Sequence, residues 1–170
     1  VEGSLSLLAQ CSKYVDYQLV LDGEEKQKYG LLLEILTPVA KTYPSEMGNL
    51  AISAGLQCLG GSGYCDDYPL EQYYRDCRIH PIHEGTTGIQ GMDLLGRKVL
   101  MQKGQAFMHY VKEVQAAIAE AKEDTELEPF AGRLEKAVER LQAVTWQQVS
   151  VAEDQGAEAF LADAALYLEY

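Results

Sequence analysis

Apolar residues along this chain recur mostly at the three-and-four spacing of a helix. Over residues 4–21, Leu5, Leu8, Cys11, Val15 and Leu19 trace a stripe, with Lys13, Asp16 and Gln18 on other faces. "DGEEKQ" then turns the chain. Tyr29, Leu32, Leu33, Leu36 and Val39 mark a second helix, which Pro38 is expected to kink or tighten. Pro44-Ser45 opens a third, carrying Met47, Leu50, Ala51, Ala54 and Cys58.

Glycine and proline punctuate the middle of the chain. "LGGSGYCDDYP" reads as a loop, and Pro69 suits the first turn of a short helix through Arg78, with Asp67 as its expected cap. Pro81 and Gly85 make a second break. After it, Thr86 or Thr87 caps a long predicted helix from about Gly88 to Ala121, with Ile89, Met92, Leu95 and Val99 as its buried stripe. "EAKEDTELEPF" is an acidic linker, Phe130, Leu134, Val138, Leu141 and Val144 mark another helix, and "GAEAFLADAALYLEY" a last one. The pattern predicts an all-α fold: an up-and-down bundle over residues 1–122, then a helical extension over 123–170.

Composition narrows the function. The formal charge of −12 divides evenly, −6 on residues 1–90 and −6 on 91–170, so neither half is a basic arm. Such a field repels nucleic acid and anionic membrane surfaces. No apolar run approaches the roughly 20 residues that span a bilayer. The first residues lack a signal-peptide pattern and enter helical periodicity without an initiator Met, as an excised piece would. Four cysteines in 170 residues are too sparse for a disulfide framework, so a reducing, cytoplasmic setting is expected.

Candidate chemistry gathers at the two breaks. Cys58, Cys65, Cys77, His80 and His83 have no regular zinc-ligand spacing, so no metal site is expected. A glycine-rich loop between helices is often only a turn, and a Glu at a helix start is often a first-turn acid. The functional alternative is a ligand site. Gly60, Gly61 and Gly63 would let main-chain N–H groups approach phosphates, Thr86 and Thr87 sit at an anion-attracting helix start, and Glu84 beside it is a candidate base.

The ordered set from Gln57 to Gln90 carries a resemblance. "QCLGGSGYCDDYPLEQYYRDCRIHPIHEGTTGIQ" resembles the C-terminal helical domain of the acyl-CoA dehydrogenases, in which Gln57, Gly60, Gly61, Gly63, Tyr64, Pro69, Arg75, Asp76, Glu84, Gly85, Thr86, Ile89 and Gln90 fall in the family's order and spacing. The residues after about 125 resemble a branch with a helical C-terminal extension. The resemblance implies the helical bundle of such an FAD enzyme. Glu84 would remove the proton α to the thioester carbonyl while the flavin takes hydride from the β carbon. The Glu84 N–H and a flavin hydroxyl would bind the carbonyl oxygen. Gly85 would lie against the acyl-CoA, and Thr86, Thr87 and Gly88 would contact the flavin. Gln57, Gly60 and Gly61 would meet the adenine-side phosphates of a flavin held mainly by a neighbouring subunit, which implies a homo-oligomer, a dimer or tetramer. Arg75 and Asp76 would form a structural ion pair holding the loop, with direct ligand contact as the alternative.

Two departures from the family pattern stand out. His83 replaces the Tyr that usually precedes the base, and Gly91 stands where Arg is common. The leading expectation is therefore part of an acyl-CoA dehydrogenase that passes electrons to an electron-transfer flavoprotein. An acyl-CoA oxidase on the same scaffold and a non-catalytic or DNA-binding relative are the alternatives; the acidic charge and the presence of Glu84 weigh against the last.

Overall fold

A computed structural model describes residues 1–169; Tyr170, the end of the last predicted helix, lies outside them. Eight α-helices and no strand occur among the described residues: α1 (Glu2–Val20), α2 (Gly23–Leu59), α3 (Leu70–Cys77), α4 (Thr87–Asp93), α5 (Met101–Ala121), α6 (Glu128–Gln155), α7 (Ala157–Ala162) and α8 (Ala164–Glu169). A 3₁₀ turn (Gly60–Tyr64) follows α2, and a π-helical turn (Leu94–Lys98) follows α4. The fold is all-α, as the spacing of apolar residues predicts.

The second and third predicted helices are one. α2 runs unbroken through Pro38 and Pro44. Each proline withholds one N–H from the ladder, and Pro38 is buried. Nearby hydroxyls satisfy main-chain acceptors: Thr37 donates to the Leu33 carbonyl at 2.7 Å, and Ser45 donates to those of Lys41 and Thr42.

Conversely, the long helix expected over residues 88–121 is interrupted twice. The Val99 N–H reaches back to Leu94 instead of Leu95, which opens the π turn. Then Gln102, Lys103 and Gly104 take φ values of +49°, +61° and +84°, a kink inside α5. Half of the expected stripe is buried, Leu95 and Val99, while Ile89 and Met92 remain exposed. The last predicted helix divides at Asp163 into α7 and α8.

On α1 the expected stripe faces outward. Leu5, Leu8, Val15 and Leu19 are exposed, and the buried residue is Tyr14. Tyr14 and Tyr17 meet Tyr29 of α2 with ring centroids 5.5 and 4.6 Å apart, so the aromatic contacts set the rotation of the helix.

The core draws on α2, the π turn, α5, α6, α7 and α8. Leu31, Ile35, Leu94, Leu95, Phe107, Val111, Val138, Phe160 and Tyr167 belong to one buried cluster. It is therefore continuous across residue 122. α8 is tied to α6 by a buried hydrogen bond of 2.7 Å between the Thr145 and Tyr167 hydroxyls. Burial raises the Tyr167 phenol above its ordinary pKa, against the opposing effect of that bond.

After the 3₁₀ turn, α3 returns along α2 on a row of small residues. A Cβ on Gly55 would fall 2.5 Å from Leu70, and one on Gly48 would fall 3.3 Å from the Cys77 sulfur. Seven residues further back along α2, Lys41 meets Gly85. The Asn49 amide donates to the Cys77 carbonyl at 3.2 Å and fixes the register. This antiparallel return brings the Pro81–Gly85 break beside the middle of α2.

Candidate functional site

Glu84 sits at the tip of the break with an exposed side chain and φ of +54°, a backbone state that non-glycine residues seldom adopt. Gly85 follows at φ +92°, where only glycine is unstrained. Two side chains hold this turn. Gln90 Nε2 donates to the Glu84 carbonyl at 3.0 Å, and Lys41 Nζ donates to the Gly85 carbonyl at 2.5 Å. The N–H groups of Glu84 and Gly85 donate to no acceptor among the described residues.

Thr86 is the cap of α4: its Oγ1 accepts from the Ile89 N–H at 3.4 Å. The Thr87 hydroxyl is engaged within the chain, donating to the Glu46 carboxylate of α2. Gly88 is half-buried with almost nothing near its missing side chain. Lys41, Pro44, Ser45, Cys77, His80, His83 and Glu84 line an open cleft of about 260 Å³. His83 Nδ1 lies 2.9 Å from the Ile79 carbonyl, and the His80 and His83 rings are 5.5 Å apart. The residue at the family's Tyr position is thus an imidazole on the wall next to Glu84.

Thr42, Glu46, Thr87 and Leu168 help line a second cleft of about 390 Å³. The Thr42 hydroxyl there is buried without a hydrogen-bond partner.

The glycine loop is elsewhere. Gln57 is exposed on the last turn of α2, and its carbonyl accepts from the Gly60 N–H. From Lys41 to Leu59 the axial rise is about 27 Å, so the loop and Glu84 do not share one small pocket. Nor do the three glycines serve one purpose. Gly60 has φ +60° and ψ −143°, a conformation for glycine alone. Gly63 is buried, and a Cβ there would fall 2.9 Å from the Leu56 carbonyl oxygen. Gly61 has open space around it and no positive φ, so packing and backbone geometry leave its lack of a side chain unexplained.

Two expected local contacts do not form. Asp67 does not cap α3, whose N-cap is Pro69 without a side-chain bond. No ion pair joins Arg75 and Asp76 among the described residues, because consecutive helical residues point in different directions. Lys41 and Glu46, which brace the turn and α4, were invisible to motif reading. Their partners lie 44 and 41 residues away, and α2 gives no local sign of them.

All four cysteines are free, and no group of three His, Cys, Asp or Glu among the described residues can hold a metal. No described helix is long and apolar enough to cross a membrane.

The fold is all-α, with a glutamate at a strained break ahead of a Thr-capped helix. The family model described as "Acyl-CoA dehydrogenase, C-terminal domain" matches residues 17–100. The chain belongs to the acyl-CoA dehydrogenase family. It is 36% identical over 111 residues to the broad-specificity linear acyl-CoA dehydrogenase FadE5 of Mycobacterium tuberculosis, covering 65% of this chain and 18% of that protein. It is 30% identical over 141 residues to acyl-CoA dehydrogenase family member 11 of Caenorhabditis elegans, covering 82% of this chain and 22% of that one. The crystal structure of Caenorhabditis elegans ACDH-11 in complex with C11-CoA superposes with a TM-score of 0.78 at 26% identity, covering 98% of this chain and 29% of that one. The chain spans about a fifth of the length of these curated relatives.

Proposed function

We propose that this chain is the C-terminal part of an FAD-dependent acyl-CoA dehydrogenase in which Glu84 removes the α-proton of an acyl-CoA thioester. The observation that carries the reading is the braced turn. An exposed carboxylate stands on a strained backbone, with two unbonded main-chain N–H groups beside it. Strain that the surroundings over-determine is characteristic of working sites. A thioester α-proton is a weak acid, so a base must be paired with donors that stabilise the enolate-like oxygen, and the Glu84 N–H can serve there. The acyl-CoA in the ACDH-11 crystal structure supports a thioester as the ligand class.

FAD fits the residues present. Gly61 has no role within the chain that demands glycine, which suits close approach of a phosphate. Gln57, Gly60 and Gly61 would meet the phosphate end of FAD, and Thr86, Thr87 and Gly88 its ring side. When bound, the flavin supplies acceptance of hydride from the β carbon. Gly85 would lie against the acyl-CoA. The separation of the loop from Glu84 along α2 supports a loop that serves a neighbouring subunit's flavin, and so a homo-oligomer. A 43% identical stretch of 58 residues in the Acetobacterium woodii caffeyl-CoA reductase–Etf complex subunit CarC supports an electron-transfer flavoprotein, rather than oxygen, as electron partner. Four free thiols suit a reducing compartment, and we place the protein in the cytoplasm.

The test uses the full-length flavoprotein under anaerobic conditions, titrated with a panel of acyl-CoA thioesters. Flavin bleaching in the parent and its loss by about 10²–10⁴ in rate in Glu84→Gln is the expected result. Unchanged bleaching in Glu84→Gln would remove Glu84 from the chemistry.

A further inference from the structure

Both carbonyls of the Glu84–Gly85 pair are held by side chains from ordered helices, and the two holds differ in kind. Gln90 reaches back six residues from α4 and is part of the family motif. Lys41 comes from α2, 44 residues earlier, and brings a charged donor to the Gly85 carbonyl. Lys41 is half-buried and lines the same cleft as Glu84, His80 and His83. Its helix is a firm mount. The Ser45 hydroxyl returns a hydrogen bond to the Lys41 carbonyl at 2.7 Å, and α2 contributes Leu31, Leu32 and Ile35 to the buried interior.

We propose that Lys41 is a positioning residue for Glu84: by clamping the Gly85 carbonyl to α2 it sets where the carboxylate stands in the cleft. The proposal rests on the reading of Glu84 as the base. A trans peptide is planar with its C=O and N–H pointing in opposite directions. Holding the Gly85 carbonyl towards α2 therefore turns the Thr86 N–H away from α2, and Gln90 does the same for the Gly85 N–H. A charged donor also polarises the peptide it binds, which strengthens the N–H at the other end. Without the ammonium, a pair of residues at φ +54° and +92° keeps one side-chain hydrogen bond to its carbonyls among the described residues, that from Gln90. Displacements of about 1 Å in a catalytic group can cost on the order of 10²-fold in rate.

The full-length flavoprotein carrying Lys41→Met, Lys41→Arg or Glu84→Gln is compared with the parent in two assays. In the first, Lys41→Met lowers kcat by about 10–100-fold with KM for the best acyl-CoA and flavin content little changed. Lys41→Arg recovers most of that loss. In the second, amide hydrogen exchange speeds up in Lys41→Met across residues 79–90, but not across α6, and Lys41→Arg restores it. Parent-like exchange over 79–90 in Lys41→Met overturns the proposal, whatever happens to turnover. So does a loss of turnover that accompanies faster exchange throughout the chain, which would mark Lys41 as merely structural. Full activity in Glu84→Gln would instead defeat the base assignment, and the exchange assay would still report whether Lys41 holds the turn.

Discussion

Gly91 of α4 lies directly against the main chain of Ala164 in α8: a Cβ on Gly91 would fall 2.5 Å from the Ala164 carbonyl oxygen. The two helices touch through backbone, with no side chain free to move aside. The glycine standing where the family commonly has arginine thus has a packing reason, because α8 occupies the space. We predict that Gly91→Ala costs about 1–3 kcal/mol through overpacking, with any larger residue displacing α8. Hydrogen exchange should show the loosening first in residues 157–169. Parent-like protection there would mean that the helix crossing tolerates a side chain.

Lys98 is almost fully buried and bonds the half-exposed Glu34 carboxylate, with Asp93 at 4.0 Å as a more distant partner. Removing Glu34 strands an ammonium in the core, whereas removing the charge itself does not. Glu34→Ala should destabilise by about 1–3 kcal/mol, since exposure of Glu34 discounts the full buried-pair cost. Lys98→Met should lie closer to the parent. Denaturant midpoints of the two variants decide it, and the reverse order would show that the pair, not the stranded charge, sets the stability.

These two contacts also mark what could be read from sequence. Helix type was legible throughout, because three-and-four spacing survives in any helix with a buried face. Facing was not. α1 is apolar on more than one side, so its leucine stripe and Tyr14 competed, and the Tyr29 contact decided. Helix ends were misread where tertiary packing overrides local rules: α2 passes two prolines, and the π turn has no sequence mark. At the site, the glycine and Thr86 motifs singled out Glu84 as a candidate by its local company. Lys41 braces the turn, while Glu46 and the α8 backbone hold α4, all from far along the chain, and no local pattern encodes such partners.

His109 on α5 has its pKa lowered, first by burial and then by Lys112 and Lys28, with Glu113 opposing. The folded protein therefore prefers the neutral ring. Between its folded pKa and the ordinary value of about 6.5, the unfolded chain binds more protons than the folded one, so stability falls as pH drops through that window. Above about 6.5 the contribution is fully present. We expect the melting temperature to drop less between pH 7.5 and 5.5 in His109→Gln than in the parent. Equal drops in the two proteins would assign the acid sensitivity to other groups.

Glu84 poses a trade between stability and chemistry. A side chain at φ +54° carries a steric cost of roughly 1–2 kcal/mol, and asparagine tolerates that region better than glutamate. If the glutamate is kept for its carboxylate and not for the turn, Glu84→Asn should raise stability by about 0.5–1 kcal/mol while abolishing turnover. In a chain of this size such a gain raises the melting temperature by about 1–4 °C. Thermal unfolding and flavin bleaching on the same preparation read both effects. A variant that is inactive but no more stable would show that the turn, braced by Lys41 and Gln90, holds glutamate without strain.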